Sequence, residues 1–248
     1  MLTTGVVSVT FRPLSPERIL ALSVQAGLDG VEWGGDVHVP AGDIAAASRV
    51  GRVTQDAGLS VRSYGSYFKA GYTAPSAFAD VVATAKAVGA PGIRIWAGQK
   101  GSEEEDNRSA VTDSIRSCAE ECARAGMTVS LEFHPGTLTD HYESACRLME
   151  EVGAANLRLY WQPNQFRDEE YNLAALRAVL PYLSHVHVFH WAGRDMYPLA
   201  QGEAVWRKYI DILKEDPKDH AMLMEFVCDG SERQFLEDAE VLHRLLAE

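Results

Sequence analysis

Five times along this chain a helical stretch ends in Ala-Gly or Val-Gly and an apolar run follows within a few residues. The pairs are Ala26-Gly27, Ala57-Gly58, Val88-Gly89, Ala125-Gly126 and Val152-Gly153, ahead of residues 30–33, 59–64, 92–96, 127–133 and 157–161. Successive glycines lie 31, 31, 37 and 27 residues apart. A glycine just past a helix adopts the left-handed conformation without a Cβ clash, so the chain can turn straight into the next strand. Repetition of that unit is the mark of β/α architecture, in which strands pair in parallel through right-handed crossovers.

Three further apolar runs, residues 5–11, 183–189 and 221–227, bring the expected strands to eight. Helices fill the gaps: Ile19, Leu20, Leu22 and Val24, and Leu173, Leu176, Val179 and Leu180, follow the rhythm of a helix covering a sheet. Eight units in 248 residues favour a single (β/α)8 TIM barrel, one domain over residues 1–248, rather than an open doubly wound sheet. The acidic run 103–106 is expected to open a helix, where the dipole favours negative charge. Cys118, Cys122, Cys146 and Cys228 have no partners at zinc-finger spacing and read as reduced structural thiols.

A formal net charge of −12 sets the summed field against nucleic-acid backbones and anionic membranes. The first residues lack the basic and long apolar regions of a secretory leader, and no later stretch is long and apolar enough to span a bilayer. A cytoplasmic protein acting on a small molecule is the resulting expectation.

In a barrel of this kind the loops after the strands form the active face. Glu132, His187 and Glu225 each end an apolar run, and Gln162 follows the run 157–161. Two carboxylates, an imidazole and a carboxamide from four strand ends suit a divalent cation, manganese, magnesium or zinc, with positions left open for a substrate's vicinal oxygens. Trp33, Tyr64, Trp96 and Trp191 are candidate apolar walls, and His134 and His190 candidate substrate contacts.

Several stretches together resemble the xylose isomerase-like barrel superfamily, in particular its sugar phosphate isomerase/epimerase branch. They are Gly30-Val-Glu-Trp33, residues 131–140, Trp161-Gln-Pro-Asn164, His185-Val-His187, Leu199-Ala-Gln-Gly-Glu203-Ala-Val-Trp206 and Met224-Glu225. The resemblance implies metal ligation by Glu132, Gln162, His187 and Glu225, with Glu132 and Glu225 exchanging a proton with substrate. It also implies that Arg194 orients the substrate and allows a homo-oligomer. Two positions depart from the pattern. Gln162 stands where the family usually has the Asp of an Asp-Pro pair, which removes one formal charge from the metal site. Gln165 stands where a substrate-binding His is usual; it can hydrogen-bond a hydroxyl but cannot shuttle a proton.

The function expected on these grounds is metal-dependent isomerisation or epimerisation of a small sugar or polyhydroxy carbonyl compound through an enediolate. Two alternatives stand beside it: dehydration of a cyclic polyol ketone, and a metal-free carbohydrate-binding barrel. No glycine-rich helix start with a neighbouring basic cluster marks a phosphate site.

Overall fold

A computed structural model describes residues 1–247. Eight parallel strands close into a barrel: β1 (Leu2–Val7), β2 (Gly30–Gly34), β3 (Ser60–Lys69), β4 (Gly92–Trp96), β5 (Thr128–Glu132), β6 (Leu157–Trp161), β7 (Leu183–Val188) and β10 (His220–Met224). Around the barrel the order is β1-β10-β7-β6-β5-β4-β3-β2, with β2 pairing back onto β1. A short antiparallel hairpin, β8 (His190–Ala192) and β9 (Asp195–Tyr197), rises from the end of β7. The TIM barrel expected from the repeat is therefore the fold.

The five glycines that announced the repeat all have positive φ, from 65° at Gly153 to 82° at Gly89. Gly89 and Gly153 cap α3 (Phe78–Val88) and α5 (Tyr142–Val152) directly in the left-handed region. The starts are set by side-chain caps: Ser15, Asp43, Asn107 and Asp168 each accept from a backbone N–H in the first turn of α1 (Pro16–Gln25), α2 (Ile44–Asp56), α4 (Arg108–Arg124) and α6 (Glu169–Val179). Because Asn107 caps α4, the acidic residues 103–106 lie in turns ahead of that helix rather than opening it.

Alternation along the strands divides the core into two. Val31, Trp33, Ile93, Ile95, Val129, Leu131, Leu159, Trp161, Val186 and Met222 face outward and pack under the helices. Each such side chain contributes about 1.5–3 kcal/mol by leaving water. Val7, Tyr160, Ala221 and Leu223, with Val9 beyond β1, form a separate small cluster. The intervening positions, Glu32, Ser63, Arg94, Ser130, Glu132 and His187, are polar yet buried. Cys118 and Cys122 are free and buried, and Cys146 and Cys228 are free and partly buried, as expected of structural thiols.

Strand ends differ from the sequence reading in detail. β1 starts at Leu2 and stops at Val7, because Ser8–Phe11 winds into a 3-10 turn, and β3 runs on to Lys69. Both changes reshape the mouth, placing Arg12 and Tyr67 at its rim.

Candidate active site

The floor of the site forms where β5, β6, β7 and β10 end. His187 is fully buried, and its Nδ1 donates to Gln162 Oε1 at 2.7 Å. The same nitrogen lies 3.0 Å from Glu225 Oε2 and 3.9 Å from Glu132 Oε1. Glu225 is placed by its own backbone, whose N–H bonds Val188 O at 3.1 Å and carries the parallel ladder one residue past β10. One ligand atom from each of Glu132, His187 and Glu225 fits within 4.8 Å of the others, and Gln162 adds a carbonyl oxygen at the same point. This donor set of oxygen and nitrogen fits a hard or borderline divalent cation.

Charge in the site is strongly coupled. Burial alone pushes the Glu225 carboxyl up, but His187 and then Arg94 outweigh it and hold it below the ordinary carboxylate range. Burial likewise lowers the His187 imidazole, and the Glu225 carboxylate reverses that and raises it. His187 Nε2 is buried without a hydrogen-bond partner. For its neighbour His185 burial prevails over the pull of Glu32 and depresses the imidazole to about 4.

Behind the floor lies a polar chain that sequence reasoning missed. Arg94, from the middle of β4, reaches Glu32 of β2 at 2.8 Å through Nε and through Nη2, and donates through Nη1 to Glu132 Oε2. Tyr160 donates to Ser63 Oγ at 2.7 Å, and Ser63 donates to Glu32 Oε2 at 2.5 Å. Five strands are thus tied across the barrel interior. The Arg94, Glu32 and Glu132 side chains are 4%, 0% and 5% exposed, so the cation is shared by two carboxylates largely out of water.

Above the floor opens a cavity of about 380 Å³. Glu132, Gln162, Glu225 and Arg94 lie at its base, and Trp96, Phe189, Trp191 and Phe226 supply apolar wall. Phe226 is the one non-glycine with positive φ among the described residues, at 62°. Its N–H is held by Thr10 Oγ1 at 3.0 Å, so strain is accepted beside Glu225 at the mouth.

Of the expected substrate contacts, Trp96, His134 and Gln165 line this cavity, with the His134 ring stacked on Trp96 at 4.6 Å. Trp33 and Tyr64 do not. Trp33 faces outward beneath α2, bonding Thr54 Oγ1 at 3.1 Å, and Tyr64 donates to Val39 O at 2.8 Å; both are fully buried in the outer core. His190 stands on the hairpin and lines a neighbouring cleft, while Arg194 sits exposed at the hairpin turn, outside the cavity lining. Arg12, Tyr67 and Arg94 are cavity residues that the strand-end reading did not assign.

A family model described as xylose isomerase-like TIM barrel matches residues 20–245. Among curated proteins, a 3-dehydroshikimate dehydratase of Bacillus anthracis is 42% identical over 69 residues. That stretch is 27% of this chain and 25% of the relative, so the match spans a quarter of the relative's length. The crystal structure of a "probable 3-DHS dehydratase" involved in petrobactin synthesis in Bacillus anthracis is similar over 98% of this chain and 99% of that one. Its TM-score is 0.81 and its identity 21%. A 3-keto-D-glucoside 4-epimerase from E. coli, in its apo form, is similar over the whole of both chains, with a TM-score of 0.76 and 16% identity. At these identities the two structures speak to the fold alone.

Proposed function

This chain belongs to the xylose isomerase-like TIM barrel family, and from that premise we propose that the barrel mouth is the active site of an enzyme that removes the proton beside a carbonyl in a small polyhydroxy compound. The observation that carries the reading is the convergence of Glu132 and Glu225 on His187 Nδ1 at the base of one cavity.

Glu225, held below the ordinary carboxylate range by His187, is ionised at neutral pH and able to accept a proton. The C–H electron pair then passes into the carbonyl, giving an enediolate. Return of the proton to the adjacent carbon gives an isomer, and return to the opposite face of the same carbon gives an epimer. Glu225 can itself make the return to the adjacent carbon, with the hydroxyl proton passing between the two oxygens; return to the opposite face falls to Glu132, from a different strand, which must carry a proton at that step while the proton taken by Glu225 leaves to solvent. A divalent cation, Mn2+, Mg2+ or Zn2+, would be held by Glu132, Gln162, His187 and Glu225 and would supply polarisation of the substrate's carbonyl and hydroxyl oxygens. Gln165 and His134 offer polar contacts to substrate hydroxyls, and Trp96 and Trp191 cover its C–H faces and exclude water.

Dehydration is the second reading, favoured by the 69-residue match to a dehydratase. Here the same proton abstraction is followed by departure of a β-hydroxyl, which takes the C–O electron pair and the proton that Glu225 accepted, leaves as water and turns the hydroxy ketone into an enone.

The test is turnover of a panel of keto-sugars and cyclic hydroxy ketones by the native protein, Glu132→Gln and Glu225→Gln. Each substitution is expected to lower kcat about 10²-fold or more. Near-native turnover in both would remove the mechanism. Mass analysis separates the two outcomes, because dehydration loses a water and isomerisation leaves the mass unchanged.

A further inference from the structure

Arg12 follows the 3-10 turn after β1 and stands at the rim of the same cavity. Its guanidinium is braced on two sides: Nε donates to Asp36 Oδ2 at 2.5 Å and Nη2 to Tyr67 Oη at 2.9 Å. Tyr67 donates in turn to the same Asp36 oxygen at 3.2 Å, and Asp36 Oδ1 is fixed by the Val37 N–H at 2.9 Å. The triangle fixes the plane of the fork and leaves Nη1 without a hydrogen-bond partner among the described residues. Arg94, the cavity's other arginine, has its nitrogens engaged by Glu32 and Glu132. Arg12 is therefore the cavity arginine with a guanidinium nitrogen that no protein group holds.

We propose that Arg12 anchors a carboxylate on the substrate, so that this site takes a small cyclic carboxylic acid carrying vicinal oxygens rather than a neutral sugar. The proposal rests on the reading of this cavity as the substrate site.

The arrangement orients such a ligand along one axis. Glu132 and Glu225 repel an anion from the floor, while the rim offers the planar, two-nitrogen edge that a carboxylate accepts bidentately. The ligand's oxygens then point down to the catalytic carboxylates, and its ring lies between Trp96, Phe189, Trp191 and Phe226. A phosphate needs more donors than one partly engaged fork provides, and every guanidinium nitrogen of Arg94, the second arginine of the lining, is already held by a carboxylate. The Arg12 side chain is 43% exposed, so its replacement tests recognition without emptying the core.

The test is equilibrium binding by calorimetry of 3,4-dihydroxybenzoate and of its methyl ester, two stable rings with the same vicinal oxygens and differing in the charge. The native protein is expected to bind the acid about ten-fold or more tighter than the ester. In Arg12→Gln that preference should vanish through loss of acid binding, with ester binding unchanged and the melting temperature close to native. Equal binding of both probes by the native protein, binding of neither, or a preference that survives in Arg12→Gln overturns the proposal. No turnover is needed, so failure of the proton-abstraction chemistry would register separately, in the substrate panel and not in these titrations.

Discussion

Replacing Arg94 by methionine removes a cation that two buried carboxylates share, and the structure sets the size of the effect. Glu32 has no exposed side-chain surface, and its remaining side-chain donor is Ser63 at 2.5 Å. Glu132 loses its Oε2 partner as well. Breaking one buried pair costs about 3–5 kcal/mol, because the remaining charge is left uncompensated. With two carboxylates affected, Arg94→Met belongs at the upper end, about 5 kcal/mol, which in a chain of this length lowers the melting temperature by roughly 10–20 °C. Glu32→Gln in the same chain removes one stranded charge and should recover about half of the loss. The sign of the pH dependence follows from Glu32. Burial alone raises its carboxyl, but Arg94, His187 and the Ser63 hydrogen bond outweigh it and hold it below the ordinary value of 4.5. In the native protein Glu32 therefore contributes stability that is fully present above the unfolded value and is lost as pH falls through the lower folded one. Without Arg94 burial prevails and the folded value rises, so the penalty is felt at neutral pH and fades on acidification. Urea unfolding at pH 7 and at about pH 4.5 should thus give a gap between native and Arg94→Met that narrows in acid. A gap below about 1 kcal/mol at pH 7, or one that widens in acid, would refute the reasoning.

Mn2+ at about 100 times its Kd should stabilise the native protein by about 2.7 kcal/mol, roughly 5–10 °C by scanning calorimetry. Glu225→Gln should abolish the shift, Gln162→Asp should enlarge it by restoring a negative charge, and no shift at millimolar Mn2+ would count against the metal set. Trp33→Ala should cost about 3–5 kcal/mol of stability while leaving the KM of any substrate that is turned over unchanged, since the indole packs beneath α2; a raised KM in a folded sample would return Trp33 to the site.

The barrel was legible because its punctuation is local: a left-handed glycine at a helix end acts within a few residues, and the five junctions needed no long-range knowledge. Glu132, Gln162, His187 and Glu225 were legible as a group because strand ends in a parallel barrel meet at one mouth. Of the four aromatics offered as cavity wall, Trp96 and Trp191 line the cavity while Trp33 and Tyr64 pack in the outer core. Alternation decides between the two. Glu32 points inward, so its neighbours Val31 and Trp33 point outward; Ser63 points inward, so Tyr64 does not; Arg94 points inward, so Trp96 two residues on does. The same rule could have found Arg94 and Glu32. A charge set between Ile93 and Ile95, or between Val31 and Trp33, in a strand covered by helices outside has the barrel interior left to it. Arg12 and Tyr67 were beyond that rule, because their place at the rim depends on β1 ending at Val7 and β3 running to Lys69.

Arg94 also bears on the substitution at Gln162. A dication at the His187 Nδ1 point would meet two formal negative charges, from Glu132 and Glu225, where an aspartate in place of Gln162 would have made three. One of the two, Glu132, is already shared with a guanidinium. The electrostatic hold on a cation is correspondingly reduced, while the polar geometry around Nδ1 is kept by the Gln162 carbonyl. With a cation held there, such a floor would favour a ligand that brings negative oxygens of its own. An anionic substrate drawn to Arg12 at the rim supplies charge that the protein's own ligands lack, so affinity for the cation and for the acid should rise together. Calorimetric titration of Mn2+ with and without 3,4-dihydroxybenzoate measures that coupling directly, and independence of the two would separate the rim from the floor.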